Sequence, residues 1–447
     1  MNPAATERQR ALATAIVRQL RQAGFAAFWV GGCVRDLLLD RDPEDYDIAT
    51  SSRPEQVEAL FARTRPVGRA FGVLLVAGEG VHFQVATFSA EADYADGRRP
   101  SRVRFADAKA DARRRDFTIN GLFYDPLDRT VHDWVDGRAD LERRLVRTIG
   151  SPSERLSEDY LRLLRAVRFA AQLDFAIAPP TFQALQQHAA SLQRVSAERI
   201  RDELLRLFRP PHAARALDLL RDSHLLAQVM PEVDAFRHCA QSPPYHPEGS
   251  VYEHARRMLE LLPPEASPAL PWAALLHDVG KPAVAQPDPA TGENRFLEHE
   301  RVGARLATTV LERLRFPRKQ IDEIVAAVRL HMQFKDVRQM KKSTLRRLLL
   351  RPTFPLELEL HRLDCLGSHG RLDHYEFLLA QAGELARQPA ICPPLVTGRD
   401  LLALGWPPGP ALGALLAEIR ELQLSDALTT REAALAWARQ HRPGTRA

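Results

Sequence analysis

Chemistry is densest where Gly31-Gly32-Cys33-Val34-Arg35-Asp36 is followed by Arg41 and then by Asp45-Tyr46-Asp47. Residues two apart in a strand share a face, so Asp45 and Asp47 can present two carboxylates to one pair of hydrated divalent cations. That is the geometry of two-metal phosphoryl transfer, in which one ion lowers the pKa of an attacking hydroxyl and the other neutralises a triphosphate and its leaving pyrophosphate. A lone pair of aspartates at this spacing is weak, since a chain this acidic should contain about one or two by chance. Its neighbours strengthen it. Gly31 and Gly32 directly after an apolar strand let backbone amides approach phosphate, and Arg35 opening the following helix adds charge where a helix N-terminus already favours anions. The plainer alternative is a Gly-rich turn with a surface ion pair from Asp36 to Arg41.

Histidines and acids form a second group. His254 lies on an amphipathic helical pattern, His277-Asp278 ends the apolar run PWAALLHDVG, His299 lies in LEHE, His331 ends another helix and Asp364 follows in HRLDCLGSHG. Imidazoles and carboxylates arriving from several helices can build an N/O site for a divalent transition metal, although any single one is more often a core or surface residue. Glu158, Asp159 and Arg162 sit on a helical pattern, where an ordinary helix salt bridge is the first explanation. The basic stretch VRQMKKSTLRRLLLRP offers Arg338, Lys341, Lys342, Arg346, Arg347 and Arg351 either as a phosphate-contact surface or as a solubilising helix face.

These groups need elements to hold them. Over the first 150 residues helical and strand patterns alternate: a helix over 5–23 closed by Gly24, then strands over 26–30, 46–49, 72–76, 81–88 and 117–124. Residues 89–113, polar and rich in Arg, Asp and Ala, are too long for a hairpin and form a candidate functional loop that includes Arg98, Arg99, Arg102 and Arg104. From Glu158 to about Phe208 apolar residues recur at three- and four-residue spacing, the mark of packed helices. Pro243, Pro244, Pro247 and Gly249 mark a linker, more helices run to about Arg387, and a Pro-rich piece introduces a last helical unit. The expected fold class is an α/β head, a small mixed sheet with helices, followed by a mainly α-helical neck and body, with domains at 1–150, 151–240, 245–387 and 388–447. Length alone suits about three globular domains.

Of the 447 residues 45% are hydrophobic and 27% charged, which excludes disorder and collagen. The longest uncharged stretches are broken by prolines, and charges at Glu7, Arg8 and Arg10 replace a signal-peptide core, so a soluble cytoplasmic protein without a membrane partner is expected. Cys33, Cys239, Cys365 and Cys392 lie far apart with no CxxC pair, as ordinary thiols would. The net charge is +5, carried by 56 Arg and only six Lys. Arginine forks grip phosphates bidentately, which suits an RNA or nucleotide partner, though GC-rich coding bias gives the same composition.

The run GGCVRDLLLDRDPEDYDIAT resembles the signature of the class II tRNA nucleotidyltransferase and bacterial poly(A) polymerase family of the DNA polymerase β superfamily. RRDFTIN at 114–120, DWVDGRADL at 133–141, EDYLRLLRAVRF at 158–169 and VSAERIRDEL at 195–204 follow in the family's order. The resemblance covers head and neck. It implies that Asp45 and Asp47 carry catalytic Mg²⁺ and that RRDFTIN recognises the ribose through Arg115, Asp116 and Asn120. Where the family has an acidic residue and then Arg in its E-V-x-T-F-R strand, this chain has Gln84 and Ser89, so the usual third carboxylate is unmatched and weaker metal binding or a lower rate is expected. The histidines resemble the HD phosphohydrolase pattern H…HD…D, mapped onto His254, His277, Asp278 and Asp364, with His299 and His331 at positions used by two-metal versions. This implies Ni²⁺, Mn²⁺ or Co²⁺ and attack of water on a phosphomonoester or a 2′,3′-cyclic phosphate. HD folds also persist as RNA-binding scaffolds, and both readings stay open.

The family's ED-x-x-R residues assign base selection to Asp159 and Arg162, with Glu158 positioning them. Cytosine shows an acceptor at N3 beside its amino donor, and adenine shows the same pattern at N1. A guanidinium only donates and a carboxylate only accepts, so a fixed Arg/Asp pair matches either edge and rejects uracil and guanine. The expected activity is CCA addition to tRNA from CTP and ATP. Its rivals are an A-adding enzyme or poly(A) polymerase, a hydrolase with a vestigial head, and a noncatalytic RNA-binding protein. The residues leave oligomeric state open.

Overall fold

The computed structural model describes residues 3–68, 72–90, 105–242, 246, 248–387 and 393–441. It divides into two units, Met1–Asp234 and Ala235–Ala447. In the first, Ala13, Ile16, Val17 and Leu20 bury one stripe of α1 (Pro3–Gln22), and Gly24 at φ 88° ends it. The chain enters β1 (Ala27–Val30), buried along its whole length, then α2 (Gly32–Leu38), β2 (Asp47–Thr50), α3 (Pro54–Leu60), β3 (Thr64–Gly68), β4 (Val73–Gly78) and β5 (Val81–Thr87). After α4 (Ala108–Arg113) come β6 (Phe123–Asp125), β7 (Thr130–His132) and α5 (Gly137–Glu142).

The seven strands form one mixed sheet in the order β3-β4-β5-β2-β1-β6-β7. β2 runs antiparallel to β1, with Asp47 opposite Val30, and parallel to β5, with Ile48 opposite Val85. Pro66 sits in edge strand β3, where its missing N–H costs no internal ladder bond, beside a register shift. Both β3 and β7 escape the sequence patterns because neither Thr64-Arg65-Pro66-Val67-Gly68 nor Thr130-Val131-His132 contains an apolar run. The stretch 117–124, expected as a strand, instead makes a 3₁₀ turn at Thr118–Asn120 before β6. Side chains win there: Asp116 accepts the Phe117 amide at 2.8 Å and Thr118 donates to buried Asp140 at 2.6 Å. The expected loop 89–113 ends in α4, capped by Asp107; its residues 91–104, with Arg98, Arg99, Arg102 and Arg104, lie outside the described residues.

The neck follows as β8 (Leu145–Val146), α6 (Pro152–Glu158), α7 (Leu161–Leu173), β9 (Ala176–Ile177), α8 (Pro179–His188), α9 (Ala197–Leu207), α10 (Ala213–Asp222), α11 (Leu226–Val229) and α12 (Pro231–Asp234). Across the expected boundary near Gly150, β8 pairs with β9, and beyond it α7 packs on α9 and α10. The second unit contains α13 (Val251–Glu260), α14 (Leu270–Leu276), α15 (Lys281–Val284), the ribbon β10 (Gln286–Pro287) with β11 (Asn294–Arg295), α16 (His299–Arg313), α17 (Arg318–Leu330), α18 (Lys342–Leu349), α19 (Phe354–Gly367) and α20 (Asp373–Ala386). α21 (Gly398–Ala403), α22 (Pro410–Leu424) and α23 (Arg431–Gln440) close a separate small core around Leu401, Trp406 and Ile419. Among the described residues no helix is long and apolar enough to cross a membrane.

Candidate active site and HD metal centre

The end of β1 delivers the chain to Gly31, whose φ of 77° makes the turn into α2; a Cβ there would lie 3.2 Å from Arg115 Nη1. The opposing strand starts with Asp47. Asp45 lies just before β2 rather than within it, so strand alternation does not by itself place the two carboxylates on one face. Burial first, then the charge of Asp45, pushes the Asp47 carboxyl up to about 6 against the pull of Arg115. Asp45 is raised as well, by burial and then by Glu44 and Asp36. Two raised carboxylates with oxygen-only donors fit a hard divalent cation that would offset the negative charge gathered around them. Cys33 beneath them is pushed up to about 12 by burial and by these acids, and is inert as a nucleophile. Gln84 is exposed one position before Val85 on β5, beside Asp47 in register.

Arg35 differs from expectation. It is the fourth residue of the short α2, not its opening, and its guanidinium is spent on Asp36 at 2.8 Å and on Asn120 Oδ1 at 3.0 Å while lying over the Phe169 ring. The ribose-motif residues are near by. Arg115 donates to Asp111 at 3.1 Å, and Asn120 donates to Asp116 at 3.3 Å. Asp116 is 8% exposed, and although burial works to raise it, Arg165 and Arg162 hold it at about 2. Its Oδ2 takes both Nε and Nη2 of Arg165 at 2.8 Å, a fork the sequence reading did not anticipate.

The trio expected to select bases also departs from one continuous helix. α6 ends at Glu158, Asp159 is extended at φ −149° and ψ 105°, and α7 begins at Leu161. The break separates the partners. Arg162 is gripped by Glu158 and by the Arg155 carbonyl at 2.6 Å, whereas Asp159 is held bidentately by Arg199, at 3.2 Å and 2.6 Å. Arg199 sits in the quoted VSAERIRDEL motif, and its role was missed because forty residues separate it from Asp159. A cavity of about 970 Å³ lined by Lys109, Arg113, Arg114, Trp134 and Arg147 borders Ala90 and Asp107, and neither Asp45 nor Asp47 lines it.

In the second unit α13 supplies His254, the end of α14 His277 and Asp278, α16 His299, the end of α17 His331 and α19 Asp364. His254 Nε2 is 3.1 Å from Asp364 Oδ1, and His277 Nε2 is 3.1 Å from Asp278 Oδ2. Asp278 Oδ1 is 3.3 Å from His299 Nε2, which is 3.1 Å from His331 Nε2. His254, His277 and Asp278 have atoms close enough to share an ion, as do Asp278, His299 and His331. His277 Nδ1 lies 2.9 Å from the Ala274 carbonyl, leaving buried Nε2 without an aligned hydrogen bond, as in a ligand awaiting a cation. Burial would lower His254, but Asp364 and Glu248 outweigh it and push it up to about 9; burial, then the charge of His277, drives His331 down to about 3.

Three family models match in sequence order: the poly A polymerase head domain over 27–147, the "probable RNA and SrmB-binding site of polymerase A" over 174–237, and the HD domain over 249–366. The CCA-adding enzyme of Geobacillus stearothermophilus is 45% identical over 218 residues, 48% of this chain and 54% of that protein. That of Levilactobacillus brevis is 44% identical over 197 residues, 44% and 49% of the two chains. The chain thus spans about half the length of the curated relatives it matches. A crystal structure of the Bacillus stearothermophilus CCA-adding enzyme in complex with CTP superposes at a TM-score of 0.73 and 29% identity, over 98% of this chain and 97% of that one. The chain belongs to the tRNA nucleotidyltransferase and poly(A) polymerase family. A Thermotoga maritima CCA-adding enzyme complexed with tRNA shares the fold at a TM-score of 0.57 and 18% identity, over 98% and 95%.

Within this family member the basic stretch is less open than its sequence suggests. Arg346 is buried, bound to Asp426 at 2.5 Å and to the Leu424 carbonyl at 2.9 Å, because α18 packs on α22. That removes it from a phosphate-contact surface. Arg347 pairs with Glu421, Lys342 with Asp426 at 2.5 Å and Arg351 with Glu357 at 3.1 Å. Arg338, over the Phe377 ring, and Lys341 are exposed. Cys33, Cys239 and Cys365 are buried free thiols; Cys392 lies outside the described residues.

Proposed function

We propose that this chain is a cytoplasmic, Mg²⁺-dependent CCA-adding enzyme that builds or repairs the tRNA 3′ end from CTP and ATP with release of pyrophosphate. The observation that carries the reading is the separate anchoring of Arg162 by Glu158 and of Asp159 by Arg199. Donors and acceptors are thereby preset before a base arrives, and only an edge with an acceptor beside an amino group, that of C or A, matches both. Asp45 and Asp47 would hold Mg²⁺, which supplies charge neutralisation on the triphosphate and a lowered pKa for the attacking 3′ hydroxyl. Gly31 and Gly32 leave room for phosphate beside the backbone, Arg115 adds positive charge there, and Asp116 with Asn120 orients the ribose. Exposed Arg338, Lys341 and Lys342 are the members of the basic stretch suited to tRNA phosphates.

The test uses labelled CTP or ATP and tRNAs lacking all, part or only the last nucleotide of CCA, resolved at single-nucleotide resolution. Stepwise C, C and A addition is expected; A addition alone, or a long A tail, would overturn the reading in favour of an A-adding enzyme or a poly(A) polymerase. Asp45→Ala or Asp47→Ala should abolish addition and leave tRNA binding nearly intact, since neither carboxylate serves phosphate contact.

A second activity is favoured by the convergence of His254, His277, Asp278 and Asp364, with His299 and His331 beside them. We infer a phosphohydrolase acting on a phosphomonoester or a 2′,3′-cyclic phosphate. Imidazole ligands suit Ni²⁺, Mn²⁺ or Co²⁺, which supply Lewis acidity toward the phosphate and its attacking water.

A further inference from the structure

The HD family match begins at residue 249, and the loop just before it reaches into the metal cluster from outside the pattern. The loop is closed by an Ala240–Ser250 bridge, by Gln241 N–H to the Gly249 carbonyl at 2.8 Å and by Val251 N–H to the Cys239 carbonyl at 3.0 Å. Ser250 then caps α13, accepting the Glu253 amide at 3.2 Å, so the last loop residues lead directly into the helix one turn before His254. Glu248 Oε1 lies 2.7 Å from His254 Nδ1 and 2.9 Å from His246 Nδ1. His254 itself is 0% exposed.

An imidazole that gives the electron pair of one nitrogen to a cation can keep a proton only at the other. Asp364, His277 and Asp278 gather about His254 on the cluster side, with Asp364 at Nε2. The electron pair therefore belongs at Nε2 and the proton at Nδ1, facing Glu248. We propose that Glu248 is a positioning residue of the HD centre: it fixes His254 as the Nδ1–H tautomer, so that Nε2 is presented to the metal. His246, sharing the same oxygen, keeps that carboxylate aimed. The loop braces the opposite ligand too, because Gln241 Oε1 accepts from Lys281 Nζ at 2.6 Å, and Nζ lies 2.6 Å from Asp278 Oδ2. Carboxylates behind ligating histidines orient the ring and raise its basicity, and losing one costs about 10- to 100-fold in metal affinity.

This inference rests on the HD cluster's being a metal site, and the experiment separates the two. Calorimetric titration with Ni²⁺ and with Mn²⁺ compares the full chain with Glu248→Gln, which keeps shape and loses charge, and with Glu248→Asp, which keeps charge; a melting curve confirms folding. Proton NMR of histidine-labelled, metal-free protein follows the downfield Nδ1–H of His254. The expected result is an affinity about 10- to 100-fold lower in Glu248→Gln, partly recovered in Glu248→Asp, with the downfield proton lost in Glu248→Gln. Affinity within twofold of the parent overturns the proposal. If the parent binds neither metal, the hydrolase reading fails, and the proton signal decides alone: present in the parent and lost in Glu248→Gln, the hold on His254 stands; absent in the parent or kept in the variant, it falls.

Discussion

Replacing Arg162 by alanine tests whether base choice resides in one guanidinium. The Arg162 side chain is 11% exposed and donates to Glu158 and to the Arg155 carbonyl. Breaking a buried ion pair costs about 3–5 kcal/mol when the surviving charge is stranded. Here it is not stranded, because Glu158 still accepts from Arg155 at 3.0 Å. The folding cost should therefore be that of a charged hydrogen bond, about 1.5–3 kcal/mol and toward the low end, leaving a folded enzyme. Base choice should fall by a comparable amount. A matched bidentate contact discriminates by about 1–3 kcal/mol, so the ratio of kcat/KM for CTP over UTP should fall by roughly 5- to 150-fold. Steady-state addition to tRNA lacking CCA, with each nucleotide alone, measures that ratio, and a melting curve measures the folding cost. If CTP and UTP lose rate equally and the ratio stands, Arg162 is a structural residue and the donor–acceptor argument is wrong for this chain.

At the head site the raised Asp47 carboxyl favours its protonated form in the fold, so metal-free protein should lose stability as pH rises from about 4 through 6. Asp47→Asn should remove that slope and be more stable in EDTA at pH 8, by about 1–2 kcal/mol after solvent screening, while Mg²⁺ should stabilise only the parent; equal stability at pH 8 would refute the cost assigned to burying a charged Asp47. Gln84→Glu, placing a carboxylate beside Asp47, should lower the Mg²⁺ concentration for half-maximal addition, and an unchanged or higher requirement would place Gln84 outside the metal's reach. Ni²⁺, Mn²⁺ or Co²⁺ should support phosphate release or opening of a 2′,3′-cyclic phosphate that His277→Ala and Asp278→Ala abolish, with addition in Mg²⁺ surviving; hydrolysis that persists in both variants would move the activity elsewhere.

What the sequence disclosed was what lies close along the chain. The Gly31-Gly32 turn, the Asp45-Tyr46-Asp47 couple and His277-Asp278 are local patterns, and the structure keeps each at an element's edge where its geometry is set. Long-range partners stayed hidden: nothing near Asp159 points to Arg199, and nothing near Asp116 points to Arg165. Periodicity misled at Asp159, where apolar spacing continues across a break in the helix, and at 117–124, where β-formers yield to side-chain capping by Asp116. It misled again at Arg346, since a basic helix looks solvated until α22 covers it. Glu248 escaped because a lone glutamate in a Pro-rich stretch carries no spacing signal that ties it to His254.

Asp116 belongs by sequence to the proposed sugar loop, yet its fork partner Arg165 lies on α7, the helix proposed to read bases, and Arg35 of the head rests against Phe169 of that same helix. If the proposed roles hold, sugar recognition and base recognition are built as one piece, which governs how such enzymes can be recombined. A chimera cut near residue 150, to exchange base preference between relatives, would sever the Asp116 fork, the Phe169 stack and the β8–β9 ladder at once. Grafts should join instead near Asp234, where the two units divide, carrying sugar loop and reading helix together; base preference would then travel as an inherited block of about half the chain, and single-residue exchanges between relatives would arrive with their counter-charges missing.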